Sequence, residues 1–219
     1  MFGRVNQIRR IVHFRVGRQC RVMNEIDFSL AEKIEKVEPS EKIEILFAYM
    51  EEKGQSFYYE RVTQLQHALQ CAHQATLSVA NAELVTSALL HDLGHLLLKE
   101  DSDDQHFPDQ DLNHEEIGSA YLQPFFPISI TEPIRLHVPA KRYLCTVDPI
   151  YYDSLSSASQ RSFHVQGGTM SNGEKADFEK FDHFENSMQL RIWDDSAKVL
   201  DSQVPDLNAY RDTVLQCLS

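Results

Sequence analysis

Hydrophobic residues recur at helical spacing along most of the chain. In residues 60–79 the apolar positions return about every three or four residues with no Gly or Pro between them, as on the buried face of a helix. Residues 81–99 repeat this pattern behind Asn81, a predicted N-terminal cap. Further helices are predicted over 28–50, with a break near Pro39, and over 112–126 and 177–195. Since no segment alternates as a half-buried strand does, the pattern predicts an all-α protein.

The first 27 residues differ from this pattern. Residues 1–22 contain six arginines and no acidic residue, without the apolar core of a signal peptide. We expect residues 1–27 to be an N-terminal extension, either a disordered arm or sequence upstream of a true start at Met23. A single helical domain is expected over 28–219.

Composition excludes several classes of function. The formal net charge is −12, which disfavours nucleic acid as a partner but allows a small anionic substrate in a locally cationic pocket. No apolar run approaches the roughly 18 residues of a membrane-spanning helix, so no membrane partner is expected. The four cysteines form no CxxC pair, which predicts a cytoplasmic protein without a disulfide framework. The oligomeric state is left open.

The segment "ALLHDLGHLLLKE" places ionisable side chains inside an apolar helix. Burying them is costly unless they are paired or bound to a metal. His91 and His95 are four residues apart and share one helix face, and Gly94 leaves room for the close approach of another helix. On spacing alone, a metal site and a buried His–Asp pair both remain open.

The adjacent His91-Asp92 pair resembles the H…HD…D signature of the HD superfamily, whose members are usually metal-dependent phosphohydrolases. Seven segments resemble, more narrowly, the phosphonate-cleaving HD-domain oxygenases of the PhnZ type. These are mixed-valent di-iron enzymes related in mechanism to myo-inositol oxygenase. The segments, in chain order between about residues 57 and 198, are "QLQHALQCA", "ALLHDLGH", "HEEIGSAYL", "HVPAKRYL", "SSASQRSF", "QGGTMSNGE" and "LRIWDD".

The resemblance implies a single HD-type helical bundle that holds two iron ions in a mixed Fe2+/Fe3+ state. By position, the first iron would be bound by His67, His91, Asp92 and Asp194, and the second by Asp92, His114 and His137. The spacing of residues 181–192 favours Asp195 over Asp194, because Asp195 continues the apolar stripe of that helix. The match favours Asp194, and we follow the match.

The implied reaction is O2-dependent cleavage of the C–P bond of a 1-hydroxyalkylphosphonate, such as 2-amino-1-hydroxyethylphosphonate, to a carboxylate and phosphate. No catalytic residue is expected beyond the metal centre. The match places Glu60 at the amine of the substrate, and His95, Lys141 and Ser159 at its phosphonate. The family has an iron-gating tyrosine where this chain has Phe57, which cannot bind iron, so that role is not carried over.

Two other functions remain open at this point. One is an HD-domain phosphohydrolase acting on a nucleotide or another phosphate ester, since two-metal hydrolases also contain counterparts of His114 and His137. The other is a non-catalytic HD module in signalling. The substituent on the second carbon of a phosphonate substrate is also left open.

Overall fold

A computed structural model describes residues 3–16, 26–57, 62–98 and 112–219. These residues form thirteen α-helices and one 3-10 helix, with no strand among them, so the all-α prediction is confirmed. None of the described helices is long and apolar enough to cross a membrane. The helices are α1 (Arg4–Val16), α2 (Ser29–Ile34), α3 (Pro39–Lys53), α4 (Gln64–Leu77), α5 (Ala82–Leu90), α6 (Leu93–Leu97), α7 (His114–Leu122), α8 (Ile128–Val147), α9 (Pro149–Ser154), α10 (Ser157–Val165), α11 (Asn172–Phe178), α12 (Phe184–Ser196), the 3-10 helix Leu207–Tyr210 and α13 (Arg211–Leu215).

Five of these helices enclose the centre of the bundle. Helix α8 packs against α5, α7 and α12, and α4 packs against α5 and α12. Helix α4 begins with a capping box, in which the Thr63 hydroxyl accepts from the Gln66 N–H and the Gln66 side chain accepts from the Thr63 N–H. Asn81 caps α5 as predicted, since its side chain accepts from the Leu84 N–H. The polar residues described below all point into the space between these helices.

The helix predicted over residues 81–99 is two helices rather than one. Helix α5 ends at Leu90 and α6 begins at Leu93. The break lies at Asp92, whose backbone has φ −98° and ψ 12°, outside the ordinary helical range. At this break, Nε2 of His91 and Oδ2 of Asp92 lie 3.5 Å apart.

One predicted helix is divided in the structure, and one long helix was not predicted. Residues 177–195 are divided between α11 and α12. Helix α8 runs for 20 residues and contains Pro133 and Pro139 within it. A proline inside a helix removes one backbone hydrogen bond, so the helix is sustained here by packing: Ile134, Leu136 and Ala140 are all fully buried.

The arginine-rich N-terminal segment contributes to the core in its described part. Helix α1 packs against α7, and both Ile8 and Val12 are fully buried. Arg9 lies over the ring of Phe28, with its guanidinium carbon 4.8 Å from the ring centroid. The segment expected to be an extension therefore covers one side of the bundle over residues 4–16.

Gly94 allows α6 to contact the start of α7, as its position in the sequence predicted. A Cβ atom at this residue would lie 1.9 Å from the carbonyl oxygen of His114. That atom belongs to the backbone and cannot rotate away. The closeness of the two helices brings His114 toward His91 and Asp92.

We expect Gly94→Ala to lower the free energy of unfolding by about 2–3 kcal/mol, since the added methyl group must displace the backbone of α7. Urea denaturation of the full-length protein would measure this loss. Gly173→Ala is the matched control, because a Cβ there meets only the Ser171 hydroxyl at 3.9 Å. Equal stability of the two variants would contradict the close approach of α6 and α7.

Candidate metal centre

Six buried side chains from separate parts of the fold meet at the centre of the bundle. Each is at most 5% exposed. His67 lies on α4, His91 and Asp92 at the break between α5 and α6, His114 at the first position of α7, His137 in α8 and Asp194 near the end of α12. These are the six residues that the sequence predicted as metal ligands, and the fold brings all of them together.

One set of atoms surrounds the Oδ2 oxygen of Asp92. The Nε2 atoms of His67 and His91 are 3.1 Å apart, and they lie 3.4 Å and 3.5 Å from this oxygen. Asp194 closes the set, with its Oδ1 oxygen 3.3 Å from Nε2 of His67. Two nitrogens that bind one ion about 2.1 Å away, at right angles, are about 3.0 Å apart. The spacing therefore suits a shared metal ion.

A second set surrounds the other oxygen of the same carboxylate. The Nε2 atoms of His114 and His137 are also 3.1 Å apart, and they lie 3.4 Å and 3.6 Å from Oδ1 of Asp92. One Asp92 oxygen thus faces each pair of imidazoles. The geometry agrees with the bridging role that the resemblance implies for Asp92.

Backbone carbonyls orient three of the four imidazoles. The Nδ1 atoms of His67, His91 and His137 lie 2.8, 2.9 and 2.7 Å from the carbonyl oxygens of Ala197, Ala88 and Ile134. A carbonyl oxygen can only accept, so each Nδ1 carries a hydrogen, and each Nε2 is the nitrogen that faces the centre and can bind a metal ion or a proton there. Such carbonyl partners commonly hold metal-binding histidines in place.

Imidazole nitrogens and carboxylate oxygens therefore converge at this centre. Among the described residues, both oxygens of Asp92 and Oδ1 of Asp194 are buried without a hydrogen-bond partner. Buried carboxylate oxygens are costly in that condition, and a cation between them and the imidazole nitrogens would remove the cost. The groups His67–His91–Asp92 and Asp92–His95–His114 each have ligand atoms close enough to hold a metal ion.

The electrostatics of the site also favour a positive charge between the two carboxylates. Burial opposes charge on His67, yet Asp194 and Asp92 raise its pKa to about 9. Burial would raise the pKa of Asp92, but His91, His114 and His67 lower it well below its usual range. Burial, reinforced by the neighbouring His114, lowers the pKa of His137. His137 is therefore neutral at neutral pH, which is the form that binds metals.

The side chains of Asp194 and Asp195 point in different directions in the structure. Asp194 is 1% exposed and faces His67, whereas Asp195 pairs through both oxygens with the guanidinium of Arg191. The stripe that favoured Asp195 packs against a small buried cluster through Phe184 and Met188, but it reaches the surface at Ile192, which is 46% exposed. The buried face of α12 instead includes Leu190, Arg191 and Trp193.

Two of the predicted substrate-binding residues lie beside one another on the next layer of side chains. The Lys141 ammonium donates to the Ser162 hydroxyl at 2.7 Å, and this hydroxyl donates to the Ser159 carbonyl at 3.0 Å. Burial and the nearby Arg191 lower the pKa of Lys141 to about 7. Both lysine and serine are buried.

The other residues predicted to bind substrate do not lie together. His95 stacks on His114 with ring centroids 3.9 Å apart, so it lies within reach of the metal ligands as well as of a substrate. Glu60 lies outside the described residues. Phe57 is described and is 73% exposed, which separates its ring from the buried centre.

Two cationic residues beside Asp194, Arg191 and Lys198, were not predicted from the sequence. Arg191 donates to Asp194 Oδ2 at 2.6 Å. Lys198 lies 3.9 Å from Asp194 Oδ1, and Asp195 pairs with Arg191. The pairs among these residues are three or four positions apart, the spacing of neighbours on a helix. This spacing could have predicted that they contact one another. A cavity of about 570 Å³ borders this group, with Ser159, Asp195 and Lys198 in its wall.

Comparison with known proteins assigns the chain to a family. No protein-family model matches it. A hydroxymethylphosphonate dioxygenase of Gimesia maris is 50% identical over 198 residues, which are 90% of this chain and 98% of the relative. The glycine-betaine-forming 1-hydroxy-2-(trimethylamino)ethylphosphonate dioxygenase of Leisingera caerulea is 35% identical over 79% of this chain and 88% of its own.

An uncharacterised protein of Acanthamoeba polyphaga mimivirus is 34% identical over 176 residues, 80% of each chain. The two named relatives are 50% and 35% identical to this chain over most of its length, which is enough to show a common family. The resemblance seen in the sequence motifs is thereby confirmed. The chain belongs to the hydroxyalkylphosphonate dioxygenases, a family of oxidoreductases that use O2.

Proposed function

We propose that the protein cleaves the C–P bond of a 1-hydroxyalkylphosphonate with O2, at a centre of two iron ions. The single observation that carries the metal part is the position of Asp92, with one carboxylate oxygen toward each pair of imidazole nitrogens. The 50% identical relative, named for this chemistry, supports the reaction.

The donor set fits iron. Imidazole and carboxylate ligands suit several divalent metals, and dioxygenase chemistry selects iron among them. The proposed ligands are His67, His91, Asp92 and Asp194 for one ion, and Asp92, His114 and His137 for the other. Iron in a mixed Fe2+/Fe3+ state would supply redox chemistry with O2 and a Lewis-acid site for substrate oxygens.

The residues around the metals bind and orient the substrate. Lys141 would neutralise the phosphonate by charge-assisted hydrogen bonds, together with Ser159 and His95. The pKa of His95 is lowered to about 3 by burial and by His114, so at neutral pH it offers one N–H as a neutral donor. The buried helices around them exclude water from the reacting groups.

Hydroxymethylphosphonate is the substrate that we favour, since the relative that acts on it by name is 50% identical. The balanced reaction is hydroxymethylphosphonate plus O2 to formate, phosphate and a proton, with the carbon oxidised and both oxygen atoms of O2 accounted for. The alternative is 2-amino-1-hydroxyethylphosphonate, whose amine Glu60 would bind. Oxygen must be consumed in either case.

The remaining proposals concern the whole chain. An HD-type domain over residues 28–219 is supported by the position of the His91-Asp92 pair at the centre of the bundle, and α1 packs onto this domain through Ile8 and Val12. The described cysteines Cys71, Cys145 and Cys217 are buried free thiols, which fits a reducing, cytoplasmic environment.

The protein is first loaded with iron under anaerobic conditions. We then expect it to release phosphate from hydroxymethylphosphonate only after O2 is added. Phosphate and dissolved O2 would be measured together, with 2-amino-1-hydroxyethylphosphonate and a nucleotide monophosphate as parallel substrates. Phosphate release from the ester without O2 would instead support the phosphohydrolase alternative and overturn the proposed reaction.

His91→Ala should bind iron at least about 100-fold more weakly than the wild type. Loss of a residue that hydrogen-bonds a metal ligand lowers metal affinity by roughly 10- to 100-fold, and loss of the ligand itself should lower it further. Iron content after anaerobic reconstitution and desalting measures this. His73→Ala, on the same helix as His67 but outside the centre, is the control and should keep its iron. Equal iron in both variants would remove His91 from the ligand set.

Substrate binding should weaken as the pH rises through about 7, the pKa to which burial lowers Lys141. The charged ammonium present below this pH attracts the phosphonate, and the neutral amine present above it does not. We expect kcat/KM to fall between about pH 6 and pH 9 in the wild type. In Lys141→Ala, iron content should be unchanged, KM should rise about 10-fold or more, and this pH-dependent fall should be absent.

A further inference from the structure

Behind the ligands of the first ion, the chain leaves α12 in an irregular segment, residues 197–199. This segment begins at Ala197, whose carbonyl oxygen lies 2.8 Å from Nδ1 of His67. The N–H of Ala197 donates to the carbonyl oxygen of Asp194 at 3.1 Å. The path of residues 197–199 therefore affects two proposed ligands of the same ion, the imidazole of His67 and the carboxylate of Asp194.

Gln70 holds this segment through two hydrogen bonds. Its Nε2 donates to the carbonyl oxygen of Val199 at 2.9 Å, and its Oε1 accepts from the N–H of Val199 at 2.9 Å. Both polar groups of one side-chain amide thus pair with both polar groups of one backbone residue. Gln70 is 5% exposed, so water has little access with which to replace these bonds.

Gln70 and His67 contact the segment from the same helix. They are three residues apart in α4, which places them on one face. Together their side chains make three hydrogen bonds to the backbone of residues 197–199. These bonds tie the end of α12, which carries Asp194, to the helix that carries His67.

The side chain of Val199 does not anchor the segment by packing. Val199 is 56% exposed, and the chain continues into a turn in which Asp201 has a positive φ of 55°. An exposed residue outside regular secondary structure opens easily unless its backbone is held by hydrogen bonds. The amide of Gln70 supplies such bonds directly after the carbonyl that orients His67.

The second ion has supports from other elements. His114 begins α7 and His137 lies in α8, and the imidazole of His137 is oriented by the carbonyl oxygen of Ile134 in the same helix. Loss of the Gln70 bonds would therefore disturb the ligands of one ion more than those of the other.

We propose that Gln70 is a positioning residue for the first metal ion. By holding Val199, it fixes the Ala197 carbonyl against His67 and keeps the end of α12 where the carboxylate of Asp194 reaches the ion. The inference rests on the proposed function, since the ion belongs to the proposed two-iron centre.

The test compares Gln70→Met with Gln74→Met in the full-length protein, loaded with iron under anaerobic conditions. Methionine is unbranched and similar in size to glutamine but has no amide. Gln74 is half-buried one turn further along α4 and is the matched control. Competition with an iron chelator would measure the affinity for each ion.

We expect Gln70→Met to bind one of the two ions about 10- to 100-fold more weakly, as for the loss of a residue behind a metal ligand, and the other ion within about threefold of the wild type. Gln74→Met should bind both ions as the wild type does.

Two further measurements separate positioning from a general loss of stability. Hydrogen exchange followed by mass spectrometry should show faster exchange across residues 197–199 in Gln70→Met than in Gln74→Met. In the fraction of Gln70→Met that keeps both ions, the electron paramagnetic resonance spectrum after oxidation by one electron should be shifted, because the ligands of one iron have moved. A stabilising role alone would lower the melting temperature and leave this spectrum unchanged.

Wild-type iron affinities and a wild-type spectrum in Gln70→Met would overturn the proposal, even with a lower melting temperature. Equal weakening of both ions would also overturn it. Gln70→Glu, which keeps an acceptor for the Val199 N–H and loses the donor, repeats the comparison if Gln70→Met does not fold. A wild type that binds two irons but releases no phosphate with O2 would refute the proposed reaction alone, since the iron affinities still decide the role of Gln70.

Discussion

The contact on which the centre of this protein depends is the Asp92 carboxylate between two pairs of imidazole nitrogens. A buried carboxylate among lone pairs is unfavourable by itself. The fold nevertheless brings three helices to this carboxylate. The chain breaks between α5 and α6 at Asp92, and Gly94 lets the start of α7 contact α6. This arrangement of side chains is unfavourable without a cation, yet several helices are positioned to form it. It therefore supports metal binding as the role of the site.

Charge is balanced in layers around this point. The carboxylates of Asp92 and Asp194 face inward to the imidazoles, and Arg191 supports Asp194 from behind. Beyond that layer, Lys141 and Lys198 converge on Ser159. The order from the centre outward is therefore anionic ligands and then cations, which suits cationic metals first and an anionic substrate next to them. A chain of strongly negative net charge can bind a phosphonate because its positive groups are concentrated there.

Much of this could be predicted from the sequence, for reasons that differ by residue. Helical spacing predicted the all-α fold, and the motifs identified the six residues that meet at the centre. Spacing alone failed in two places where tertiary structure decides. The predicted helix breaks at Asp92, and the stripe that favoured Asp195 reaches the surface at Ile192. Lys198 was missed because its contact with Ser159 joins residues 39 positions apart, and helical periodicity carries no information on such a contact.

The most direct test of the proposed two-iron centre is the electron paramagnetic resonance spectrum of the iron-loaded protein after oxidation by one electron per chain. Two irons bridged by Asp92 should couple antiferromagnetically, so that Fe2+ and Fe3+ together give a total spin of one half, and Asp92→Ala should lose this signal. A spectrum of isolated high-spin Fe3+ in the wild type, with one iron per chain, would contradict the account.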